Sequence, residues 1–204
     1  MNIAALLISF AMLIVAMTIH EFAHGWTAYK LGDPTAKYSG RLTLNPLAHI
    51  DPIGTVLLPL MLFISTGGRF IFGAAKPVPI NFWALKNPKR DFMLVGVSGP
   101  AANIILAIAV AIVLRFIPLP IVIAVILRQL AIINVILGVF NLIPIPPLDG
   151  SRIVMGMLPP QLAAKYERIE PYGFFIILAL LALGLLNILV WPIVNLVLGI
   201  LGIY

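Results

Sequence analysis

The sequence predicts an all-α polytopic membrane protein with about five to six transmembrane segments and a small membrane-embedded β-hairpin or re-entrant loop. Of its 204 residues, 62% are hydrophobic and 10% are charged, whereas soluble domains average about 45–50% apolar and about 25% charged residues. A soluble globule of this length could not bury so much apolar surface. The composition therefore excludes a soluble domain, a disordered chain and a fibrous protein. The length predicts a single membrane-embedded domain over residues 1–204, with a core over 1–150 and a C-terminal hydrophobic segment over 171–204.

The cysteine count and the net charge further limit the possible functional sites and partners. The chain has no Cys, which excludes disulfides, thiolate metal sites and cysteine nucleophiles. The formal net charge is +6, and in so apolar a chain it indicates basic loops at the cytoplasmic face of a bilayer. We therefore expect the lipid bilayer as a partner and no nucleic acid.

Uncharged runs mark the candidate spans. Ile3–Ile19 would form a helix of about 26 Å, near the thickness of the hydrocarbon core, and it lacks the basic start and the small-residue cleavage site of a signal peptide. The later runs are Pro52–Gly68, Phe92–Leu114, Gln129–Leu148 and Pro171–Tyr204. We expect the fourth span to begin near Ile121. The last run is longer than one span needs, so a break at Trp191-Pro192 would leave a short interfacial segment.

The basic residues predict an orientation. The first run is followed by Lys30, Lys37 and Arg41. The third run is preceded by Lys76, Lys86, Lys89 and Arg90, and the fourth is followed by Arg152, Lys165 and Arg168. The positive-inside rule places these loops in the cytoplasm and the N-terminus outside. If Pro52–Gly68 crosses the membrane, the chain must return before Lys86. The intervening Arg69–Phe82 contains two prolines, a glycine and alternating β-formers, which favours a hairpin or loop that dips into the domain.

His20, Glu21 and His24 form an H-E-x-x-H pattern at the end of the first run. Residues four apart share one face of a helix, so both imidazoles can bind one zinc ion. Glu21 adjoins the first ligand, where it can act as base on a zinc-bound water. The alternative is that these residues cap the span at the interface. Ionisable groups at membrane depth are expensive, however, and by default indicate function.

A catalytic zinc site needs a third protein ligand and an open position for water. Asp149 follows the fourth run on a Pro-rich segment that cannot continue a helix, and we expect it on an extended strip at the depth of His24. His49, in a polar interfacial segment, is the runner-up. We expect most of the other acidic residues to be solvated in loops beside Lys or Arg. They are Asp33, Asp51, Asp91, Glu167 and Glu170.

The combined motifs closely resemble the site-2 protease family of intramembrane zinc metalloproteases, in its short bacterial and archaeal branch without PDZ or CBS domains. Leu148-Asp149-Gly150 resembles the family's L-D-G motif, and Gly99-Pro100-Ala101-Ala102-Asn103 resembles its G-P-x-x-N motif. Further segments that resemble the short branch are Asn45-Pro46-Leu47, Asp51-Pro52-Ile53-Gly54 and Ala75-Lys76-Pro77-Val78-Pro79. The motifs occur in the family's order.

The resemblance implies a zinc metalloendopeptidase of the cell membrane, with one Zn²⁺ per chain, that cuts transmembrane segments of other proteins. It implies that His20, His24 and Asp149 are the metal ligands and that Glu21 is the catalytic base. It also implies a membrane-embedded β-hairpin before the G-P-x-x-N helix. The orientation predicted above then places the active site near the cytoplasmic side.

Asn103 and Asn141 are further polar residues at the ends of spans, and we predict that they bind substrate. Each could orient the substrate backbone or stabilise an oxyanion, although hydrogen bonding between helices is the alternative. A substrate strand could add to the edge of Phe70–Ile80 or to the Pro-rich Leu142–Leu148.

Two other functions use the same His/Asp cluster. One is a metal-ion transporter, but the chain shows no inverted repeat, and a transporter does not need Glu21 beside the first ligand. The other is a catalytically inactive membrane binding protein, against which the intact set of His20, Glu21, His24 and Asp149 argues. The sequence leaves the substrate and the oligomeric state open.

Overall fold

The computed structural model describes residues 3–57, 61, 64, 73 and 75–203. Throughout these residues the architecture is helical and contains no strand. The helices are α1 (Ile3–Lys30), α2 (Thr35–Tyr38), α3 (Pro88–Phe116), α4 (Ile121–Asn141), α5 (Asp149–Met157), α6 (Pro160–Glu167), α7 (Glu170–Ala182) and α8 (Leu185–Leu201). Pro46–Ala48 and Phe82–Ala84 form short 3₁₀ helices, and Pro52–Leu57 forms a π-helical segment.

Three of the described helices, α1, α3 and α4, are long and apolar enough to cross a membrane. The pair α7 and α8 would make a fourth span, although the two helices are bent by 82°. A multi-pass membrane protein is thereby confirmed, whereas the predicted count of five to six spans is not. The hairpin is predicted over Arg69–Phe82. Within that range, residues 73 and 75–81 have no regular structure, and residues 69–72 and 74 lie outside the described part. Most of the predicted run Pro52–Gly68 beyond Leu57 also lies outside it.

Small residues allow the central helices to pack closely. Gly138 of α4 meets the Pro100 carbonyl of α3, where an added Cβ would lie 3.2 Å from the oxygen. The core between α3, α4 and α8 consists mainly of Ala and Val: Ala107, Val110, Ala111, Ala131, Val135, Val139, Val190 and Val194. Small side chains are typical of contacts between membrane helices, because the lipid supplies no hydrophobic driving force and association depends largely on close packing.

The C-terminal run breaks at Gly184, and the predicted break at Trp191-Pro192 is wrong. Gly184 has a left-handed conformation (φ 72°) between α7 and α8, which glycine adopts without steric cost. Pro192 lies inside α8. Proline is tolerated in membrane helices because neighbouring groups can satisfy the carbonyl that it leaves free.

Two of the acidic residues that we expected to be solvated are buried. Asp33 is 0% exposed and Asp91 is 2% exposed. The carboxylate of Asp33 accepts hydrogen bonds from the backbone N–H groups of Thr35 (2.9 Å) and Asn81 (2.6 Å), and Asp91 accepts one from Asn87 N–H (2.8 Å). Backbone donors in turns can replace water around a carboxylate, which charge patterns in the sequence do not reveal.

The turn before α5 packs closely against α7 at Gly173. At Gly173 of α7, an added Cβ would overlap the carbonyl oxygen of Pro146. We therefore expect Gly173→Ala to destabilise the protein by about 1–3 kcal/mol, the usual cost of overpacking. Thermal unfolding in detergent, followed by tryptophan fluorescence, measures the shift. Leu183→Ala is the control, because Leu183 is 71% exposed at the end of the same helix. Equal midpoints for the two variants would contradict the close packing of α7 on this turn.

Candidate metal centre

Helix α1 extends beyond the apolar run and carries the whole H-E-x-x-H pattern. His20 and His24 lie one turn apart on the same face, and both are buried. Their rings meet edge to face with centroids 4.6 Å apart, and their Nε2 atoms lie 3.0 Å apart. The predicted helix for this motif is thus present, and it aims both imidazoles at one point.

Asp149 reaches the same point from the other side of the bundle. Its Oδ2 lies 2.9 Å from Nε2 of His20 and 3.1 Å from Nε2 of His24. The structure differs from the expected extended strip, because the residues before Asp149 form turns and Asp149 is the first residue of α5. Gly150 permits these turns, since an added Cβ there would overlap the carbonyl oxygen of Leu142.

Hydrogen bonds at the far side of each ring define which nitrogen faces the centre. Nδ1 of His20 lies 2.6 Å from Oδ1 of Asn103, and Nδ1 of His24 lies 2.7 Å from the carbonyl oxygen of Val95. Both partners are acceptors, so Nδ1 of each ring can donate to its partner, and Nε2 of each ring faces Asp149. Three possible ligand atoms therefore converge on one point, an arrangement that a bound cation would stabilise.

The spacing of these three atoms matches a metal site. One ligand atom from each of His20, His24 and Asp149 lies within 4.8 Å of the others. Zn–N bonds of about 2.0–2.1 Å in a tetrahedral site place ligand nitrogens about 3.3 Å apart, close to the separations of 2.9–3.1 Å found here. The two histidine Nε2 atoms and the carboxylate oxygen therefore fit a zinc ion.

Asp149 is held as a carboxylate by its neighbours. Burial raises the pKa of its carboxyl, but His20, His24 and the Arg152 guanidinium favour the charged form and hold the pKa well below its usual range. Nη1 of Arg152 lies 3.2 Å from Oδ1, the oxygen that does not face the histidines. The guanidinium also lies over the ring of Phe92, 5.5 Å from its centroid. One carboxylate oxygen is thus paired with a cation and the other is left for the centre.

Glu21 is half-buried beside His20, and both side chains line a cavity of about 620 Å³. Oε2 of Glu21 accepts a hydrogen bond from the backbone N–H of Val78 at 2.8 Å. Most of the other lining residues are apolar and come from α1, α4 and α7, among them Met17, Ile136 and Phe174. The carboxylate next to the metal centre therefore opens into a space with apolar walls.

The chain matches the sequence profile of Peptidase family M50 over residues 8–124 and 117–185. It is 40% identical over 197 residues to YwhC of Bacillus subtilis, which is named as a candidate zinc metalloprotease; the alignment covers 90% of this chain and 84% of YwhC. The chain belongs to peptidase family M50. The resemblance to the site-2 proteases and the prediction of a peptidase are thereby confirmed.

Other M50 relatives are longer than this chain. Rip2 of Mycobacterium tuberculosis, also named as a candidate zinc metalloprotease, is 32% identical over 176 residues that cover 85% of this chain and 66% of Rip2. The zinc metalloprotease MJ0392 of Methanocaldococcus jannaschii is 30% identical over 149 residues, which cover 73% of this chain and 34% of that protein. No solved structure gives a significant match.

The two asparagines that we predicted to bind substrate have different surroundings in this M50 protein. Asn103 is 0% exposed, and its Nδ2 donates to the Ala16 carbonyl (3.1 Å) and to Oδ1 of Asn134 (2.8 Å), while its Oδ1 accepts from His20. Asn141 lines the cavity, and its Nδ2 donates to the carbonyl of Leu137 at 2.9 Å. Substrate binding by either residue stays a prediction.

His49, the runner-up ligand, lies outside the group formed by His20, His24 and Asp149. It is buried, and its Nε2 donates to the carbonyl of Thr43 at 2.8 Å. Sequence reasoning missed three groups that act on the site, which are the N–H of Val78, the carbonyl of Val95 and the side chain of Arg152. A backbone N–H has no residue-type signal, but Arg152 follows Asp149 by three residues, a spacing that allows contact on a helix.

Gly99 of α3 passes directly across the two histidine rings. An added Cβ would lie 2.5 Å from Nε2 of His24 and 2.7 Å from Cε1 of His20. We expect Gly99→Ala to displace the rings and to weaken zinc binding at least about tenfold, as the loss of ligand positioning usually does. Competition with a chelating dye measures the affinity. Ala109→Val, which adds bulk at an exposed position of α3, is the control, and equal zinc affinity in both variants would refute the crowding at Gly99.

Proposed function

We propose that this M50 protein is an intramembrane zinc metalloprotease that hydrolyses peptide bonds in or near transmembrane segments of substrate proteins. The observation that carries the proposal is the convergence of His20, His24 and Asp149 on one point beside Glu21 and an apolar cavity. These residues lie on and next to helices that are apolar enough to cross a membrane. The names of the relatives support zinc as the metal.

His20, His24 and Asp149 would hold one zinc ion per chain. When bound, zinc supplies Lewis-acid polarisation of the scissile carbonyl and lowers the pKa of a water to about 7. The protein's own contribution is to fix the ligands: Asn103 and Val95 hold the two rings through their Nδ1 atoms. Such outer partners of metal-binding histidines set both the tautomer and the orientation of the ring.

Glu21 would be the general base. Its carboxylate lines the cavity together with His20, so water that enters the cavity comes within reach of both. The carboxylate would take a proton from the attacking water and then deliver it to the leaving amine. A metal-ion transporter has no use for a carboxylate in this position, and an inactive binding protein would not need the complete set.

The substrate would lie in the cavity in an unfolded form, because a helix buries its own carbonyl groups. The cavity is bordered by Gly73, Ala75 and Pro77 on one side and by Asn141 and Leu148 on another. Apolar walls suit the side chains of a transmembrane segment. We propose that Asn141, which lines the cavity, contacts the substrate backbone. Asn103 reaches His20 instead and would position that ligand.

We propose that the single domain over residues 1–204 has the predicted five to six segments, with the hairpin or re-entrant loop over Arg69–Phe82. Its N-terminus would lie outside the cell membrane and its active site near the cytoplasmic side. The basic residues support this orientation: Lys30 ends α1, while Lys89 and Arg90 lie in the first turn of α3. Both helix ends lie on the side of His24 and Val95, so the metal centre would be close to the cytoplasmic surface.

Replacement of the base separates metal binding from catalysis. We expect Glu21→Gln to retain about one zinc per chain and to lose cleavage of a membrane-spanning test substrate, because an amide cannot take up the proton of the attacking water. The measurement is metal analysis of the purified protein together with a cleavage assay in detergent. Cleavage by Glu21→Gln at the rate of the wild type would show that the proposed mechanism is wrong.

A pair of variants tests the third ligand. We expect Asp149→Ala to lose zinc, because two histidines alone bind it weakly, while His49→Ala keeps it since His49 lies outside the cluster. Equilibrium dialysis followed by metal analysis distinguishes the two. Zinc that survives Asp149→Ala but not His49→Ala would move the third ligand to His49. Circular dichroism of both variants establishes that the helices remain.

A further inference from the structure

The carboxylate of Glu21 needs a partner that fixes its direction. A glutamate side chain has three rotatable bonds, and a base must be held close to its productive geometry to act efficiently. The hydrogen bond from Val78 N–H to Oε2 (2.8 Å) supplies such a partner. Among the described residues, Oε1 has no hydrogen-bond partner and can accept a hydrogen bond from water.

The sequence around Val78 isolates this donor. Val78 lies between Pro77 and Pro79, and proline has no N–H. Val78 therefore carries the one backbone donor of the three residues. The two proline rings also fix their own φ angles, which restricts the directions in which the N–H of Val78 can point.

Helix α1 is shaped to receive Val78. Gly25 follows Glu21 by four residues and therefore lies on the same helix face. An added Cβ at Gly25 would lie 3.1 Å from Cγ1 of Val78, so the glycine lets the segment approach α1 closely. The Val78 side chain is buried in this contact. Its N–H thus comes within reach of Glu21 one turn earlier.

The chain on either side of Val78 is anchored from elsewhere. Nη2 of Arg41 donates to the carbonyls of Lys76 (3.2 Å) and Pro77 (3.3 Å), and Lys76 N–H donates to the carbonyl of His49 (2.9 Å). Beyond Val78, Asn81 N–H donates to the buried carboxylate of Asp33. These contacts hold a segment without regular structure in one place.

We propose that Pro77-Val78-Pro79 is a positioning element for the catalytic base. In it, Val78 N–H orients the Glu21 carboxylate, and Arg41 holds the element in place through the carbonyls of Lys76 and Pro77. The proposal rests on the proposed role of Glu21 as the base. It assigns to Val78 and Arg41 a role in the rate of the chemical step and none in metal binding. Neither residue touches the reacting atoms, so both act through Glu21.

The first test compares two substitutions at Val78 in the full, zinc-loaded protein in detergent. Val78→Ala removes the side chain and keeps the N–H, while Val78→Pro removes the N–H in a segment that already contains two prolines. We expect kcat for a membrane-spanning test substrate to be about 10–100-fold lower in Val78→Pro than in Val78→Ala, with KM and zinc content alike in both. Equal kcat values would overturn the proposal.

The second test does not depend on enzymatic activity, and it still tests the contact between Val78 and Glu21 if Val78→Pro does not fold. Hydrogen exchange followed by mass spectrometry resolves Val78, because the flanking prolines carry no amide hydrogen. We expect Glu21→Ala to speed exchange at Val78 about tenfold or more, since the amide loses its acceptor, whereas Glu21→Gln retains an acceptor oxygen and the protection. Unchanged exchange in Glu21→Ala would refute the contact. The contact can persist even if Glu21→Gln proves active, so the two proposals fail separately.

Arg41 is tested by the same measurement with a matched control. Arg41→Ala should speed exchange at Val78 and lower kcat several-fold, because it frees the carbonyls of Lys76 and Pro77. Arg90→Ala removes an equal charge from an exposed position in the first turn of α3 and should change neither. If both variants speed exchange and lower kcat, the effect is one of net charge. If neither does, Arg41 does not hold the segment. Either outcome would show that the assignment of Arg41 is wrong.

Discussion

The requirement that buried polar groups be satisfied governs the centre of this molecule. Two imidazoles and a carboxylate lie among apolar helices, where an unpaired polar group is costly. The Nδ1 atoms are satisfied by Asn103 and Val95, and one carboxylate oxygen is satisfied by Arg152. Nε2 of His20, Nε2 of His24 and Oδ2 of Asp149 face one another, where a bound cation would be stabilised. The helices are therefore placed so that these three atoms meet, and Gly99 and Gly150 provide the close approach that this needs.

Much of the fold could be predicted because its signals are local. Uncharged runs indicate membrane helices, and the four-residue spacing of His20 and His24 indicates one helix face. The break at Gly184 is harder to predict than one at Pro192, because proline disrupts soluble helices more strongly than glycine does. In α8, Pro192 continues the helix, whereas Gly184 takes a left-handed conformation that ends one. In this membrane protein the glycine therefore ends a helix and the proline does not.

The site was less predictable wherever contacts join distant parts of the chain. His20 and Asp149 are 129 residues apart; their predicted depth made Asp149 the leading ligand over His49, and the resemblance to a family supported that choice. The residues that orient the site side chains are even harder to identify from the sequence. Val95 acts through its carbonyl and Val78 through its N–H, and such backbone groups do not depend on residue type, except that proline lacks the N–H. Asn103 has a recognisable polar side chain, yet its motif could not distinguish contact with substrate from contact with His20. The hydrogen bonds of its buried amide favour His20.

The distribution of the seven acidic residues leaves one carboxylate placed to act as the proposed base. Asp33 and Asp91 are enclosed by backbone donors in turns, and Asp149 is shared between Arg152 and the histidines. Of all the acids, Glu21 alone lines the cavity beside His20. Its hydrogen bond to Val78 occupies one oxygen, and the apolar walls offer water few other places to bind. Proton transfer would therefore be confined to the position where Glu21 faces the metal centre, which keeps water-dependent chemistry local inside a bundle of membrane helices.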